Sequence, residues 1–153
     1  MSKNDKKDKR IKPTTLPKKH GKISANLLSD KSKKSLAFSL KYFDHQHDKF
    51  SLANKKSNYF ITLLQRLKDL STSTREELIS NGSKSLRCHG INWSDSKVSE
   101  TCFGIPNEEQ LVDKPYQISL SSNAHGRVHG FFIEETFYIV WLDPDHLLYS
   151  SKR

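Results

Sequence analysis

Arg127 and His129 enter one apolar run near the C-terminal end of this 153-residue chain, and Asp143, Asp145, His146 and Tyr149 leave the next. These side chains can move protons and hold anions. Histidine titrates near neutral pH and serves as acid or base. Arginine presents a planar fork that fits a phosphate through two hydrogen bonds. Arg87 and His89, two residues apart, would share one face of an extended segment and supply a second cationic pair, with Lys84 close by in sequence. Such a set suits an anion site or a small nuclease site.

The runs that carry these groups are residues 128–133 and 136–142. Both are rich in β-branched and aromatic residues, which fit a pleated, half-buried surface. Glu134-Glu135 between them reads as a tight turn, so the pair predicts a hairpin. Residues 116–121 alternate and predict a further strand. So do residues 36–43, where Leu36, Phe38, Leu40 and Tyr42 face one way. Residues 44–58 read as a polar loop that Phe50 and Leu52 can pin.

Phe60, Leu63, Leu64, Leu67 and Leu70 recur at helical spacing, which predicts a helix with that stripe inward. Residues 71–74 break it. Ser73 stands three residues before Glu76, a capping-box arrangement that opens a short second helix over about 74–80, stopped by Asn81-Gly82. Residues 83–93 read as a short strand or extended segment with Leu86 and Cys88 inward. Residues 94–114 form a long irregular connection of a length that is usually functional. The expected fold class is α+β: two early helices packed on one face of an antiparallel sheet of about four to five strands.

The formal charge is unevenly placed. Residues 1–35 hold 12 Lys and Arg against 3 Asp, a net of +9, while residues 36–153 hold 14 against 14. The first segment is too polar to offset its chain entropy and is expected to be a disordered, lysine-rich tail. Its Lys6, Lys7, Lys9, Arg10, Lys18 and Lys19 are candidates for contact with nucleic acid through counterion release, or for simple solubilisation. The remainder is expected to be one α+β domain.

Cys88 and Cys102 form no framework and read as two reduced thiols. His45 and His47, flanked by Asp44 and Asp48, lie in a polar loop without further ligands, so no metal or other cofactor is expected. No apolar run has membrane-spanning length and the N-terminus lacks a signal-peptide core, so a cytoplasmic protein with no membrane partner is expected.

The element order and the C-terminal residues together resemble the RelE/YoeB-like superfamily of small bacterial toxins. In that pattern an arginine-led strand precedes an aliphatic strand, then a histidine and a tyrosine near the end. Here Arg127 leads, residues 137–142 are the aliphatic strand, and His146 and Tyr149 follow. The resemblance covers residues 36–149 in outline and 126–149 in residue pattern. It implies metal-free RNA cleavage, in which the ribose 2′-OH attacks the adjacent phosphate. It places proton transfer on His146 and Tyr149 and phosphate charge on Arg127, with His129 on the same strand face. It also implies RNA or the ribosome as partner, with an antitoxin or other protein as another, in a setting of bacterial defence.

Each role has a plainer rival. His146 can be a turn residue satisfied by Asp143, Tyr149 can close the end of the sheet, and Arg127 with His129 can be a solvated strand face. Trp141 and Phe137 read as core. Whether the chain is an enzyme therefore stays open at this point. The alternative is a non-catalytic module, an adaptor or inhibitor that binds nucleic acid or protein with the same fold. The discriminator is whether His146, Tyr149, Arg127 and one of Arg87 or His89 converge on one concavity.

Overall fold

The computed structural model of the protein describes residues 34–80, 87–121 and 126–149. Its elements are β1 (Ala37–Ser39), α1 (Ser57–Leu70), α2 (Arg75–Ile79), β2 (Cys88–Gly90), α3 (Glu108–Leu111), β3 (Pro115–Ser119), β4 (Arg127–Ile133) and β5 (Thr136–Asp143). The strands form one sheet in the order β1-β5-β4-β3-β2. The fold class is α+β.

The sheet is mixed, which corrects the antiparallel expectation. β2, β3, β4 and β5 pair antiparallel, but β1 lies parallel to β5, with Phe38 beside Phe137. Parallel neighbours need a long crossover. The chain between β1 and β5 supplies one, so the first strand docks on the free edge of the last. The Phe38 and Phe137 rings, 6.2 Å apart edge to face, hold that contact on the helical side.

One face of the sheet carries Ile118, Val128, Phe132, Phe137, Ile139 and Leu142, and these join Leu63 and Leu70 of α1 and Leu78 of α2 in one cluster. The two early helices thus meet the sheet through a shared core. The inward stripe differs from the predicted one. Leu63, Leu67 and Leu70 join this cluster, but Phe60 is 36% exposed and Leu64 65% exposed. The helix is apolar at Tyr59, Phe60 and Ile61 as well, wider than the sheet can cover, so part of it faces out. The capping box also moves by one residue. Thr74, not Ser73, is the N-cap, with its hydroxyl on the Glu77 N–H and the Glu77 carboxylate on the Thr74 N–H. The Ser73 carbonyl instead accepts the Leu36 N–H and ties the entry of β1 to the helices.

The opposite face is filled too. Phe131, Val140 and Trp141 meet Phe50, Ile91, Phe103 and Leu148, all from loops. Trp141 is the centre, with Phe50 at 4.9 Å and Phe103 at 5.0 Å between ring centroids. Residues 94–114 are therefore less irregular than expected. They supply Phe103 to this roof and contain the short α3, whose Glu108 carboxylate accepts the backbone N–H groups of Phe103 and Gly104.

A bulge shapes the site strand. His129 pairs with Trp141 and Gly130 with Ile139, leaving Val140 as the extra residue of β5. The Val140 carbonyl accepts the Asp44 N–H, which pins the following loop. A Cβ on Gly130 would lie 2.0 Å from the Tyr138 carbonyl oxygen, so only glycine allows this approach. At the hairpin tip Glu134 adopts a left-handed φ of 50°, a strained choice for a residue with a side chain.

Candidate functional site

Two constellations arise where β3, β4 and β5 end together. The first is built on Asp143. The rung Ser119–Arg127–Asp143 crosses the three strands. Asp143 is 0% exposed, and its Oδ2 lies 3.1 Å from His129 Nε2. Its two oxygens also accept the N–H groups of Leu147 at 2.8 Å and Leu148 at 3.0 Å. Burial pushes the carboxyl pKa up, but the hydrogen bonds from His129, Leu147 and Leu148 outweigh it and hold the carboxyl below its ordinary value.

His129 is likewise 0% exposed, and burial lowers its pKa from the ordinary histidine value. It is therefore a neutral imidazole whose Nε2–H donates to Asp143. His129, expected among the catalytic groups, is thus placed in the interior beside Asp143. Aromatic side chains of the loops roof its face, with Phe50 6.0 Å from the imidazole and Phe103 packed on Trp141 and Phe131. Its work is to hold Asp143, which in turn folds residues 144–149 back over the sheet.

The second constellation brings three arginines to the same rung, Arg66 and Arg127 by their side chains and Arg87 by its backbone. The Ser119 N–H donates to the carbonyl of Arg87 at 3.1 Å. The Ser119 carbonyl accepts Arg66 Nε at 3.0 Å. Arg127 is the β4 partner of Ser119 and donates from Nη1 to the Gly126 carbonyl at 3.0 Å. Burial lowers the Arg127 pKa, and the positive charge of Arg87 lowers it further, with Asp143 opposing. Burial also lowers that of Arg66, against Asp69. Arg127 thus feels the charge of Arg87 at this strand end, while Arg66 reaches the rung through the Ser119 carbonyl.

Arg66 was missed in the sequence. Its signal was there: a charged residue between Leu63 and Leu70 on the inward stripe of an amphipathic helix. Arg87 and His89 do not share a strand face. Arg87 lies before β2 with a left-handed φ of 41°, which ends the pleat alternation. His89 is exposed on β2 and lies in a row with Gln117, His129 and Trp141 across the sheet.

His146 follows β5 in a turn. Its N–H donates to the Asp143 carbonyl at 3.4 Å and its φ is 56°. The His146 and Tyr149 rings are 6.0 Å apart, so these two do come together. Tyr149 pairs with Val98, and burial followed by Asp95 raises its pKa. The predicted set thus divides into Arg87 with Arg127, His146 with Tyr149, and the buried His129. Lys6, Lys7, Lys9, Arg10, Lys18, Lys19 and Lys84, with the predicted tail, lie outside the described residues.

Other chemistry is limited. Burial pushes the Cys88 thiol up to about 12, so it is protonated and inert at neutral pH. His47 of the polar loop sits 3.7 Å from Glu100, which also pairs with Lys49. Among the described residues there is no group of three or more His, Cys, Asp or Glu placed to hold a metal, and no helix is long and apolar enough to cross a membrane.

Cavities open on the surface of the described residues. One of about 690 Å³ lies beside α3 and is lined by Trp93, Cys102 and the acidic Glu109 and Asp113. Another, about 480 Å³, lies between the start of α1 and the ends of β3 and β5, with Tyr59, Leu120, Gly126 and Asp145 in its wall. Set against known proteins, this α+β chain matches no family model, no curated protein and no solved structure.

Proposed function

We propose that the chain is an RNA-binding module that grips the phosphate backbone at the Arg66–Arg87–Arg127 corner. The observation that carries this reading is the like-charge pair Arg87 and Arg127 beside the rung Ser119–Arg127, with Arg66 Nε on the Ser119 carbonyl. The carboxylate on that rung, Asp143, is committed to His129 and two backbone N–H groups. Like charges held together at a half-buried strand end favour an anionic partner, and arginine forks match phosphate oxygens. The lysine-rich residues 1–35 add sequence-independent attraction to the same polyanion. Proton transfer is not part of this reading, because the strand histidine is buried and neutral.

The ring pair His146–Tyr149 favours a second reading, the RelE-like ribonuclease, with these two as the proton-transfer groups and Arg127 as the phosphate cation. One experiment serves both. RNA binding and cleavage are measured over a salt series, with and without ribosomes, for the wild type, Arg127→Ala, Arg87→Ala and His146→Ala. Binding is expected without cleavage. Each arginine variant should flatten the slope of log K against log salt by about 0.7, the loss of one single-strand phosphate contact. Unchanged slopes in both arginine variants refute the corner. Cleavage that survives EDTA and falls by roughly 10²–10⁴ in His146→Ala replaces the binding reading with the nuclease one.

A further inference from the structure

The start of α1 forms part of the wall of the cavity of about 480 Å³, through Lys56, Asn58 and Tyr59. The helix runs for 14 residues, yet no side chain caps its N-terminus and its first turn holds no acidic residue. The leading N–H groups of a helix have no partner within it and carry partial positive charge. Lys56 adds a full positive charge at the same place. This part of the wall suits an anionic group. The volume falls within the range of small-molecule sites, about 300–1,000 Å³.

Another part of the lining has the opposite sign. Asp145 belongs to it, with its carboxylate oxygens 2.7 and 2.8 Å from Lys55 Nζ. An ionised carboxylate offers about four acceptor sites, so one lysine does not exhaust it. Tyr59 supplies the third element. Its hydroxyl is buried and has no hydrogen-bond partner among the described residues. Leaving such a group unmatched is costly, so a ligand atom that bonds it is favoured. Burial, then Asp143 and Asp145, pushes its pKa up to about 12, so the hydroxyl stays neutral. The two carboxylates that oppose a phenolate there favour an ammonium group. Leu120 and Pro144 complete the lining with apolar surface.

We infer that this cavity binds a free α-amino acid, its carboxylate at the start of α1 and on Lys56, its ammonium on Asp145 and the Tyr59 hydroxyl, and its side chain against Leu120 and Pro144. A purely apolar ligand would leave the hydroxyl and both charges unmatched. A simple anion would meet Asp145, and a simple amine would meet Lys56. A metal ion would find a single carboxylate, already held by a lysine. A zwitterion answers both signs at once. The arginines take no part, so the inference goes beyond the RNA reading and does not rest on it.

The test uses the full chain. The standard amino acids are each titrated by calorimetry. For the tightest binder, its N-acetyl derivative, which lacks the ammonium, and its primary amide, which lacks the carboxylate, are titrated in parallel. At least one amino acid is expected to bind saturably and more tightly than either derivative. Tyr59→Phe, which removes one oxygen and keeps the ring, should weaken it by about two- to tenfold, the loss of one hydrogen bond. Lys56→Ala should weaken the amino acid and leave the affinity of its amide unchanged. Asp145→Asn should weaken the amino acid and leave the affinity of its N-acetyl derivative unchanged.

Failure of every amino acid to bind overturns the inference. Equal binding of the N-acetyl derivative or of the amide overturns it too, because one of the two charges then goes unread. Tyr59→Phe at wild-type affinity, with its circular dichroism unchanged, overturns the assignment to this cavity. Loss of affinity for the amide in Lys56→Ala, equal to that for the amino acid, removes Lys56 as the carboxylate partner and sinks the proposed orientation.

Discussion

Asp143 shows how one residue can draw several elements to a point. Its carboxylate meets a ring from β4 and two backbone groups from the C-terminal turn. Both members of its pair with His129 are fully buried and both titrate below their ordinary values. The sign follows from which state takes up protons. His129 stays neutral in the folded chain but protonates when unfolded, from its ordinary value of 6.5 downward, so its contribution is present above that pH and lost below it. Asp143 stays ionised when folded and protonates when unfolded from 3.8 downward, so its contribution is lost at still lower pH. Thermal melts against pH should show stability falling below about 6.5 and falling again below about 4. Asp143→Ala should cost at least about 2 kcal/mol, since the two buried donors, His129 Nε2–H and the Leu148 N–H, each lose a partner worth about 1–3 kcal/mol. An Asp143→Ala protein with the wild-type melting temperature would show that the turn folds without its hub.

At the scale of elements, α1 is the clearest case of pattern meeting packing. Leu70 is 1% exposed against the sheet, while Leu64, in the same apolar run, is 65% exposed. Leu70→Ala should therefore cost about 2–5 kcal/mol, the loss of buried methylenes plus the space they leave. Leu64→Ala should change stability by no more than about 0.5 kcal/mol, as at other surface positions. Urea melts of the two variants decide it, and equal losses would place Leu64 in the core. The bulge at Val140 has a similar local logic. It lets Trp141 share a face with His129 and turns a carbonyl outward to the Asp44 N–H.

For the molecule as a whole, the charge map separates attraction from folding. Residues 36–153 are formally neutral, and the net charge of +9 belongs to residues 1–35. The described core draws its apolar residues from Leu36 onward. Deleting residues 1–33 should leave the melting temperature within a few degrees of the full chain, while RNA affinity falls and its salt dependence flattens. A large drop in melting temperature would make the segment part of the fold. An unchanged salt slope would reduce it to a solubilising extension.

The sequence by itself determined the local elements. The alternating run at residues 116–121 and the β-branched and aromatic runs at 128–133 and 136–142 became β3, β4 and β5, and the leucine spacing became α1, because residue type and hydrophobic periodicity are short-range properties. It also marked Trp141 and Phe137 as core. Pairing partners are a long-range matter, so only the tertiary structure decided that β1 runs parallel to β5. The same holds for the site. His129 and Arg127 are both polar residues two apart on a strand, and nothing local says that loops rich in Phe and Trp will bury one and spare the other. Arg66 lies more than fifty positions from Ser119, yet helix packing brings its guanidinium to that carbonyl. Residue type set which chemistry was available. Burial, fixed by contacts far apart in the chain, decided which of those groups lie inside the fold and which reach its surface.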